Sequence, residues 1–253
     1  MSSIAGILNA PVAHRGLHDL ANGVVENSAS AFRLATEHGY PIECDLQLSS
    51  DGIPMVFHDD VLDRLTDLKG PVSALSAAEL GQTVLKGSAA GDTIMRLDEL
   101  LALVNGRVGF AIELKRQIDG RNKELAAVSA EMLRDYTGPL SIITFSPAIL
   151  RALRQYGFKG PRGILVERFT NDYARKTLGP LQRFCLRHML HYPLTRFEFI
   201  DCHHTSLNLP GVRFFRSLGF PILTWTITSQ ADADTALKNC DEITFEGYIP
   251  KSG

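Results

Sequence analysis

A small set of polar residues in this chain combines the side-chain types that hydrolytic enzymes use, and each lies in or beside a short apolar run. The set is His14, Arg15, Glu43, Asp45, His58, Glu113 and Lys115. Histidine titrates near neutral pH, so a pair of histidines can act as general acid and general base. Short apolar runs predict β-strands, and barrel enzymes carry their chemistry at strand ends. The set therefore predicts a site built where several strands end.

The three acidic residues, Glu43, Asp45 and Glu113, form an all-oxygen set without a thiolate. Such a set suits one hard divalent cation, Mg²⁺ or Ca²⁺, better than zinc. Without a cation, three converging carboxylates would repel one another. Arg15 and Lys115 are suited to holding a phosphoryl group, Arg as a planar fork and Lys as a point charge. Together these features predict the hydrolysis of a phosphate ester.

Each residue taken singly also has an ordinary structural explanation. A histidine at a strand end is often a hydrogen-bonded surface residue, and Glu113 with Lys115 could form a simple salt bridge. The combination is harder to explain structurally, because charges that face a protein interior are costly unless they are paired or bind a metal.

The elements that must position these residues follow a regular order. In 42–48, apolar residues alternate with Glu43, Asp45 and Gln47, so both acids lie on one face, roughly 6–7 Å apart along the strand. In a barrel this face would point to the axis. The run 53–57 follows too closely for an intervening helix and predicts a hairpin or an extension. Eight strands are predicted, at 11–14, 41–48, 108–115, 140–145, 163–167, 197–202, 221–227 and 242–246. Helices are predicted at 28–38, 97–104, 122–136, 147–156, 172–188, 209–218 and 230–238.

Eight strand–helix units in 253 residues predict an α/β fold, a TIM (β/α)8 barrel with a small insertion after the second strand region. We expect a single domain over 1–253, with the insertion at about 59–96 and a short helix at 76–80 inside it. The main alternative, a doubly wound open sheet, would have a glycine-rich phosphate loop after its first strand. Here that strand runs into His14-Arg15-Gly16 instead.

The composition limits the partners and the location of the protein. A formal net charge of −2 without long basic runs argues against nucleic acid as a partner. The N-terminus lacks the features of a signal peptide, and no apolar segment is long enough to be a transmembrane segment. Four dispersed cysteines indicate free thiols in a reducing compartment, and a cytoplasmic protein is expected. The sequence leaves open whether the chain forms a homo-oligomer.

Six motifs, read in order, resemble the glycerophosphodiester phosphodiesterase family, whose members share the TIM barrel of phosphatidylinositol-specific phospholipase C. The motifs are His14-Arg15-Gly16, Glu26-Asn27-Ser28, Glu43-x-Asp45, Asp51-Gly52 leading to His58-Asp59, Leu62-x-Arg64-x-Thr66, and Glu113-x-Lys115. The resemblance extends over nearly the whole chain, is densest up to Lys115, and continues at Thr144-Phe145-Ser146 and Trp225-Thr226.

The resemblance implies a role for each matching residue. It implies that His14 and His58 are the acid–base pair. It implies that Glu43, Asp45 and Glu113 are the metal ligands for one divalent cation. It also implies that Arg15, Lys115 and Trp225 bind the substrate, a small-molecule glycerophosphodiester, and that the insertion caps the barrel mouth. The implied reaction is metal-dependent hydrolysis to glycerol 3-phosphate and an alcohol.

The chain departs from the family pattern at two places, Ile94-Met95-Arg96-Leu97 and the end of the last strand, Thr244-Phe245-Glu246. Two other functions stay open on the sequence alone. One is lysophospholipase D-type hydrolysis of lysophospholipids, and the other is a non-catalytic barrel that binds phosphate. The second would predict the loss of a histidine or a metal ligand, and the chain keeps all five.

Overall fold

Within residues 4–251, which the computed structural model describes, eight parallel strands close into a barrel and a ninth strand pairs with it. The strands are β1 (Val12–Ala13), β2 (Ile42–Leu48), β3 (Pro54–Val56), β4 (Phe110–Leu114), β5 (Leu140–Thr144), β6 (Arg162–Val166), β7 (Phe199–His203), β8 (Ile222–Ile227) and β9 (Glu242–Phe245). The order around the barrel is β1-β9-β8-β7-β6-β5-β4-β2, and pairing of β1 with β2 closes the circle. The predicted TIM barrel is therefore confirmed.

Helices follow most of the barrel strands. They are α1 (Ala29–Glu37), α2 (Ala77–Gly81), α3 (Leu97–Val104), α4 (Asn122–Met132), α5 (Pro147–Gln155), α6 (Asp172–Thr177), α7 (Pro180–Arg187), α8 (Tyr192–Thr195), α9 (Pro210–Ser217) and α10 (Gln230–Ala236). One of them, α2, lies in the segment at 59–96. None of these described helices is long and apolar enough to cross a lipid bilayer.

Two predicted helices were wrong in their extent. The single helix expected at 172–188 is two helices, α6 and α7, because Pro180 begins the second one and cannot continue the first. Proline lacks an N–H and keeps the preceding residue, here Gly179, out of the helical region. The short helix α8 was not predicted, and α4 ends at Met132 rather than at 136.

The two faces of the barrel strands divide the core as the alternation predicted. The outward residues of β2, such as Ile42 and Cys44, belong to the large apolar cluster between strands and helices. A smaller inner cluster fills the bottom of the barrel with Val12, Phe199 and Leu223 among its members. This inner cluster, the apolar plug, closes the lower end of the barrel. The polar residues that point inward therefore lie toward the carboxyl ends of the strands.

The segment at 59–96 has its own small apolar cluster, which includes Leu62, Leu80 and Ile94 together with Phe57 next to β3. Its helix, α2, begins one residue later than predicted, after the capping residue Ser76. The extended run after 52 forms β3, antiparallel to β2, which confirms the hairpin. The expectation of one domain over 1–253 stays a prediction, and it includes residues 1–3 and 252–253, which lie outside the described residues.

Candidate active site

The loop after β1 brings His14 and Arg15 to the mouth of the barrel. The His14 backbone N–H donates to the carbonyl of Phe245 over 3.0 Å, which joins this loop to β9. Arg15 has a positive φ of 54°, followed by Gly16 at 80°. A Cβ on Gly16 would lie 2.9 Å from the Ala31 carbonyl carbon, so glycine permits the close approach of this loop to α1.

Parallel pairing of β2 with β4 places the three acidic residues side by side. Asp45 lies opposite Glu113 in the register, and Glu43 lies one inward position lower on β2. One carboxylate oxygen from each of the three lies within 4.8 Å of the others, and all three residues are buried. The fold therefore brings Glu113 next to Glu43 and Asp45 although it is distant from them in sequence, and the three predicted ligands form one cluster.

The three carboxyls of this cluster differ strongly in their pKa values. Burial, reinforced by the Asp45 charge, raises the pKa of Glu43 well above its usual value. Burial also raises the pKa of Glu113. Burial opposes ionisation of Asp45 as well, but the neighbouring Lys115, His58 and Arg15 charges lower its pKa. Three buried acids cannot all ionise without more positive charge, so the cluster is suited to binding a cation.

Lys115 lies beside the cluster, with its Nζ 3.2 Å from Glu113 and 3.4 Å from Asp45. These two acids raise the pKa of Lys115 although burial opposes it, so the ammonium stays charged. The Arg15 backbone N–H donates to Glu43 over 3.0 Å, and its Nε lies 3.3 Å from Asp45. Both basic residues are thus held at the acid cluster and face the same pocket.

Each of the two predicted histidines has a carboxylate at its Nδ1 atom. His58 Nδ1 lies 2.7 Å from Asp59, its neighbour in sequence, and His14 Nδ1 lies 2.5 Å from Glu246, which is 232 residues away. A carboxylate accepts a hydrogen bond only from a nitrogen that carries hydrogen. With Nδ1 donating, Nε2 of each ring is left for proton transfer.

Burial lowers the pKa of His14, although the hydrogen bond with Glu246 acts in the opposite direction. The pKa of Glu246 is lowered by its hydrogen bond with His14, so the carboxylate stays ionised. The same carboxylate lies 3.6 Å from His18 Nε2, and these three residues could also surround a metal ion. Because Glu246 already accepts from His14, the three-carboxylate cluster is the better cation site.

A chain of ion pairs connects Arg15, in the loop after β1, with Asp59, in the loop after β3. Glu26 accepts from Arg15 over 2.7 Å and from Arg64 over 2.7 and 2.8 Å. Arg64 in turn donates to Asp59, the partner of His58. The two arginines hold the pKa of Glu26 at about 2 against the effect of burial. The chain therefore ties Arg15 to the residues that orient His58.

The opposite wall of the pocket is mainly apolar and aromatic. Trp225 on β8 lines it and packs edge-on against Phe145, with ring centroids 5.8 Å apart. Ile143 and Leu165 line the same pocket with apolar side chains, and Asp201 and Thr244 contribute polar atoms to it. Trp225 thus lies where the sequence resemblance implied.

The fold brings all eight predicted site residues together. Seven of them line one pocket, while Asp45 lies buried behind Arg15 and Lys115. Their roles stay predictions. No sequence pattern predicted a role for Glu246, Glu26 or Asp201. Glu26 lay in a recognised motif and Glu246 in a noted departure, but only the contacts reveal what each one touches.

Comparisons with known proteins identify one family. A profile of the family described as "Glycerophosphoryl diester phosphodiesterase family" matches residues 14–241. A glycerophosphodiester phosphodiesterase from Caldanaerobacter subterraneus is 37% identical over 242 residues, which are 90% of this chain and 89% of that protein. Bovine glycerophosphodiester phosphodiesterase 1 is 28% identical over 153 residues, which are 57% of this chain and 45% of that protein.

A solved structure shows the same fold. It is an Oleispira antarctica phosphodiesterase in complex with the product sn-glycerol-3-phosphate. The likeness has a TM-score of 0.76 at 24% identity and covers 94% of this chain and 92% of that chain.

Proposed function

The chain belongs to the glycerophosphoryl diester phosphodiesterase family, and from that premise we propose that it hydrolyses glycerophosphodiesters to glycerol 3-phosphate and an alcohol. The observation that carries the proposal is the pairing of both histidines with carboxylates at one pocket that also holds the acid cluster and two basic side chains. General acid–base catalysis of phosphodiester hydrolysis needs this combination of groups.

The residues present fit a divalent cation, Mg²⁺ or Ca²⁺, which Glu43, Asp45 and Glu113 would hold. The fit rests on the donor set itself, since two of the three carboxyls have raised pKa values that bound positive charge would lower again. When bound, such a cation supplies Lewis acidity and neutralises phosphoryl charge. Oxygen ligands without sulfur favour Mg²⁺ and Ca²⁺ over zinc.

Arg15 and Lys115 bind the phosphoryl group in this proposal. Both are held by acidic neighbours, so little conformational freedom is lost when they contact the non-bridging oxygens. The aromatic wall with Trp225 excludes water from one side of the group, which strengthens these charge interactions.

His14 is the general base and His58 the general acid in this scheme. Burial lowers the pKa of His14, which favours its neutral, proton-accepting form, and Glu246 stabilises the imidazolium that forms. His14 Nε2 removes the proton from the attacking oxygen. When that oxygen belongs to water, glycerol 3-phosphate forms directly. When it belongs to the glycerol 2-hydroxyl, the 2,3-cyclic phosphate forms first and a water molecule then opens the ring to give glycerol 3-phosphate. His58, oriented by Asp59, protonates the leaving alcohol. Gln47 fixes the His58 segment by donating to the carbonyls of His58 and Asp59 over 3.2 and 3.1 Å.

Turnover of a panel of phosphodiesters tests the proposal. Glycerophosphocholine, other glycerophosphodiesters and lysophosphatidylcholine are assayed with chelator, and then with Mg²⁺, Ca²⁺ or Mn²⁺ restored. We expect chelator-sensitive release of glycerol 3-phosphate, and a loss of at least about 100-fold in His58→Ala. The matched control is His38→Ala, since His38 is exposed and contacts only the Leu34 carbonyl among the bonds described for its ring nitrogen.

Three outcomes would contradict the proposal. One is the absence of glycerol 3-phosphate release with every cation. Another is preferential turnover of lysophosphatidylcholine, which would favour the lysophospholipase D reaction. The third is unchanged turnover in His58→Ala, which would exclude the two-histidine scheme.

A further inference from the structure

Two polar side chains at the bottom of the pocket lack a protein partner among the described residues. Asp201 Oδ1 and Thr244 Oγ1 are both buried and unpaired, and each residue is only 1% exposed. Both residues line the pocket that holds the histidines and the basic side chains. An unpaired buried carboxyl is costly, so its retention on the wall of a binding pocket indicates a partner in the ligand.

The strand positions explain why these atoms face the pocket. On β7, Phe199 belongs to the apolar plug of the barrel, and Asp201 is the next inward residue above it. On β9, Thr244 lies opposite Val12, another member of the plug. The two polar groups therefore border the apolar plug, and Asp201 lies opposite Leu223, one inward position below Trp225 on β8.

The environment of Asp201 favours a neutral hydrogen-bonding group. Burial raises its pKa well above the usual value, and the facing charge of Glu113 acts in the same direction. Its register neighbours on either side, Leu165 and Leu223, are apolar and buried. A group with both donor and acceptor capacity suits a protonated carboxyl and a hydroxyl side chain, and an alcohol has both.

We propose that Asp201 and Thr244 form a subsite that binds a hydroxyl group of the glycerol moiety and so selects for glycerol-bearing substrates. The inference rests on the proposed function for its substrate class. Arg15 and Lys115 hold the phosphoryl group in the same pocket. Ile143 on β5 and Leu165 on β6 lie between Lys115 and Asp201 in the strand order and offer apolar contact to the carbon chain. The depth of the subsite suits the small glycerol group, because a bulky leaving alcohol must depart through the mouth.

Binding of two matched ligands tests the subsite without requiring turnover. sn-Glycerol 3-phosphate and n-propyl phosphate share the phosphate and the three-carbon chain and differ by two hydroxyls. Calorimetric titration at one fixed Mg²⁺ concentration gives the ratio of their Kd values. We expect Asp201→Leu to reduce the preference for glycerol 3-phosphate by about 10- to 100-fold, the usual effect of removing a buried hydrogen bond.

The matched variants separate hydrogen bonding from charge and from packing. Asp201→Asn keeps a donor and an acceptor in the same shape, so the preference should stay within about threefold of the wild type. Thr244→Val removes the hydroxyl at constant volume and should reduce the preference by about three- to tenfold, whereas Thr244→Ser should retain it. Thermal unfolding should show that Asp201→Leu is at least as stable as the wild type, since it removes an unpaired buried carboxyl.

An unchanged ratio in both Asp201→Leu and Thr244→Val would overturn the proposal, as would an equal loss for both ligands. An Asp201→Asn variant as impaired as Asp201→Leu would still support the subsite, because an ionised carboxylate also accepts a hydrogen bond from an alcohol hydroxyl. A wild type that prefers glycerol 3-phosphate through these residues but releases none from any diester would support the subsite while refuting the proposed function.

Discussion

Glu246→Gln tests how the last strand contributes to the acid–base pair. The Glu246 carboxylate lies 2.5 Å from His14 Nδ1, and its side chain is 31% exposed. Glutamine keeps the shape and can still accept from Nδ1–H, but it removes the charge that stabilises the imidazolium. Hydrogen bonds to charged groups contribute about 1.5–3 kcal/mol and neutral ones about 0.5–1.5 kcal/mol. The difference of about 1.5 kcal/mol corresponds to a roughly tenfold lower kcat, with little change in KM.

The pH profile gives a second readout that a purely structural role of Glu246 would not change. Glu246 raises the pKa of His14 against the opposing effect of burial, so its neutralisation should lower that pKa further. A general base is active in its neutral form, and activity is lost as the pH falls through its pKa. The acid limb of the kcat/KM profile should therefore move to lower pH in Glu246→Gln.

The matched control is His18→Asn, which removes the other histidine near the same carboxylate. His18 Nε2 lies 3.6 Å from Glu246, too far for a hydrogen bond, and His18 does not line the pocket that holds His14 and His58. We expect His18→Asn to keep kcat within about threefold. A Glu246→Gln enzyme with an unaltered kcat and an unshifted acid limb would refute the assignment of Glu246 to His14.

Two further predictions concern the charged groups at the mouth. Glu26→Gln should raise KM by roughly three- to tenfold with a smaller effect on kcat, because Arg15 and Arg64 lose a shared anchor. The control is Asp98→Asn, which breaks the exposed ion pair between Asp98 and Arg96 outside the pocket. An unchanged KM in Glu26→Gln would contradict this. Metal-free protein should lose stability as the pH rises above about 4.5, since Glu43 and Glu113 have raised folded pKa values and bind protons more tightly when folded. Mg²⁺ should therefore raise Tm more at pH 8 than at pH 5.5, and an equal increase at both pH values would exclude these acids as its ligands.

Local sequence patterns predicted most of the barrel, because strand alternation and helix-ending residues depend on near neighbours. The alternation of Glu43 and Asp45 with apolar residues predicted which face of β2 points inward, and the outer cluster confirms it. The break before Pro180 was missed although its signal is local, since the amphipathic pattern of 172–188 continues across it. Proline should have outweighed periodicity there.

The sequence predicted which residue types form the site, but not which residues they contact. The residue types suggested acid–base catalysis for His14 and cation binding for Glu113. Their hydrogen-bond partners, however, depend on which strands become neighbours. Asp201 illustrates the limit, since an acid within an apolar run reads equally well as a solvated residue at a strand end. Asp201 differs from the surface acids in two ways. It lies in register with the buried Leu165 and Leu223, and its Oδ1 has no hydrogen-bond partner among the described residues.

The two histidines differ in how far their orientation depends on the closed barrel. Asp59 is the next residue after His58, so that pair needs only the β3 hairpin and its local hydrogen bonds. Glu246 reaches His14 only because β9 pairs with β1, where Val12 lies opposite Thr244. The backbone bond from His14 to Phe245 lies at the same seam. Opening of this seam would separate His14 from Glu246 and leave the His58 pair intact. The proposed acid–base pair is thus complete only when β1 and β9 are joined.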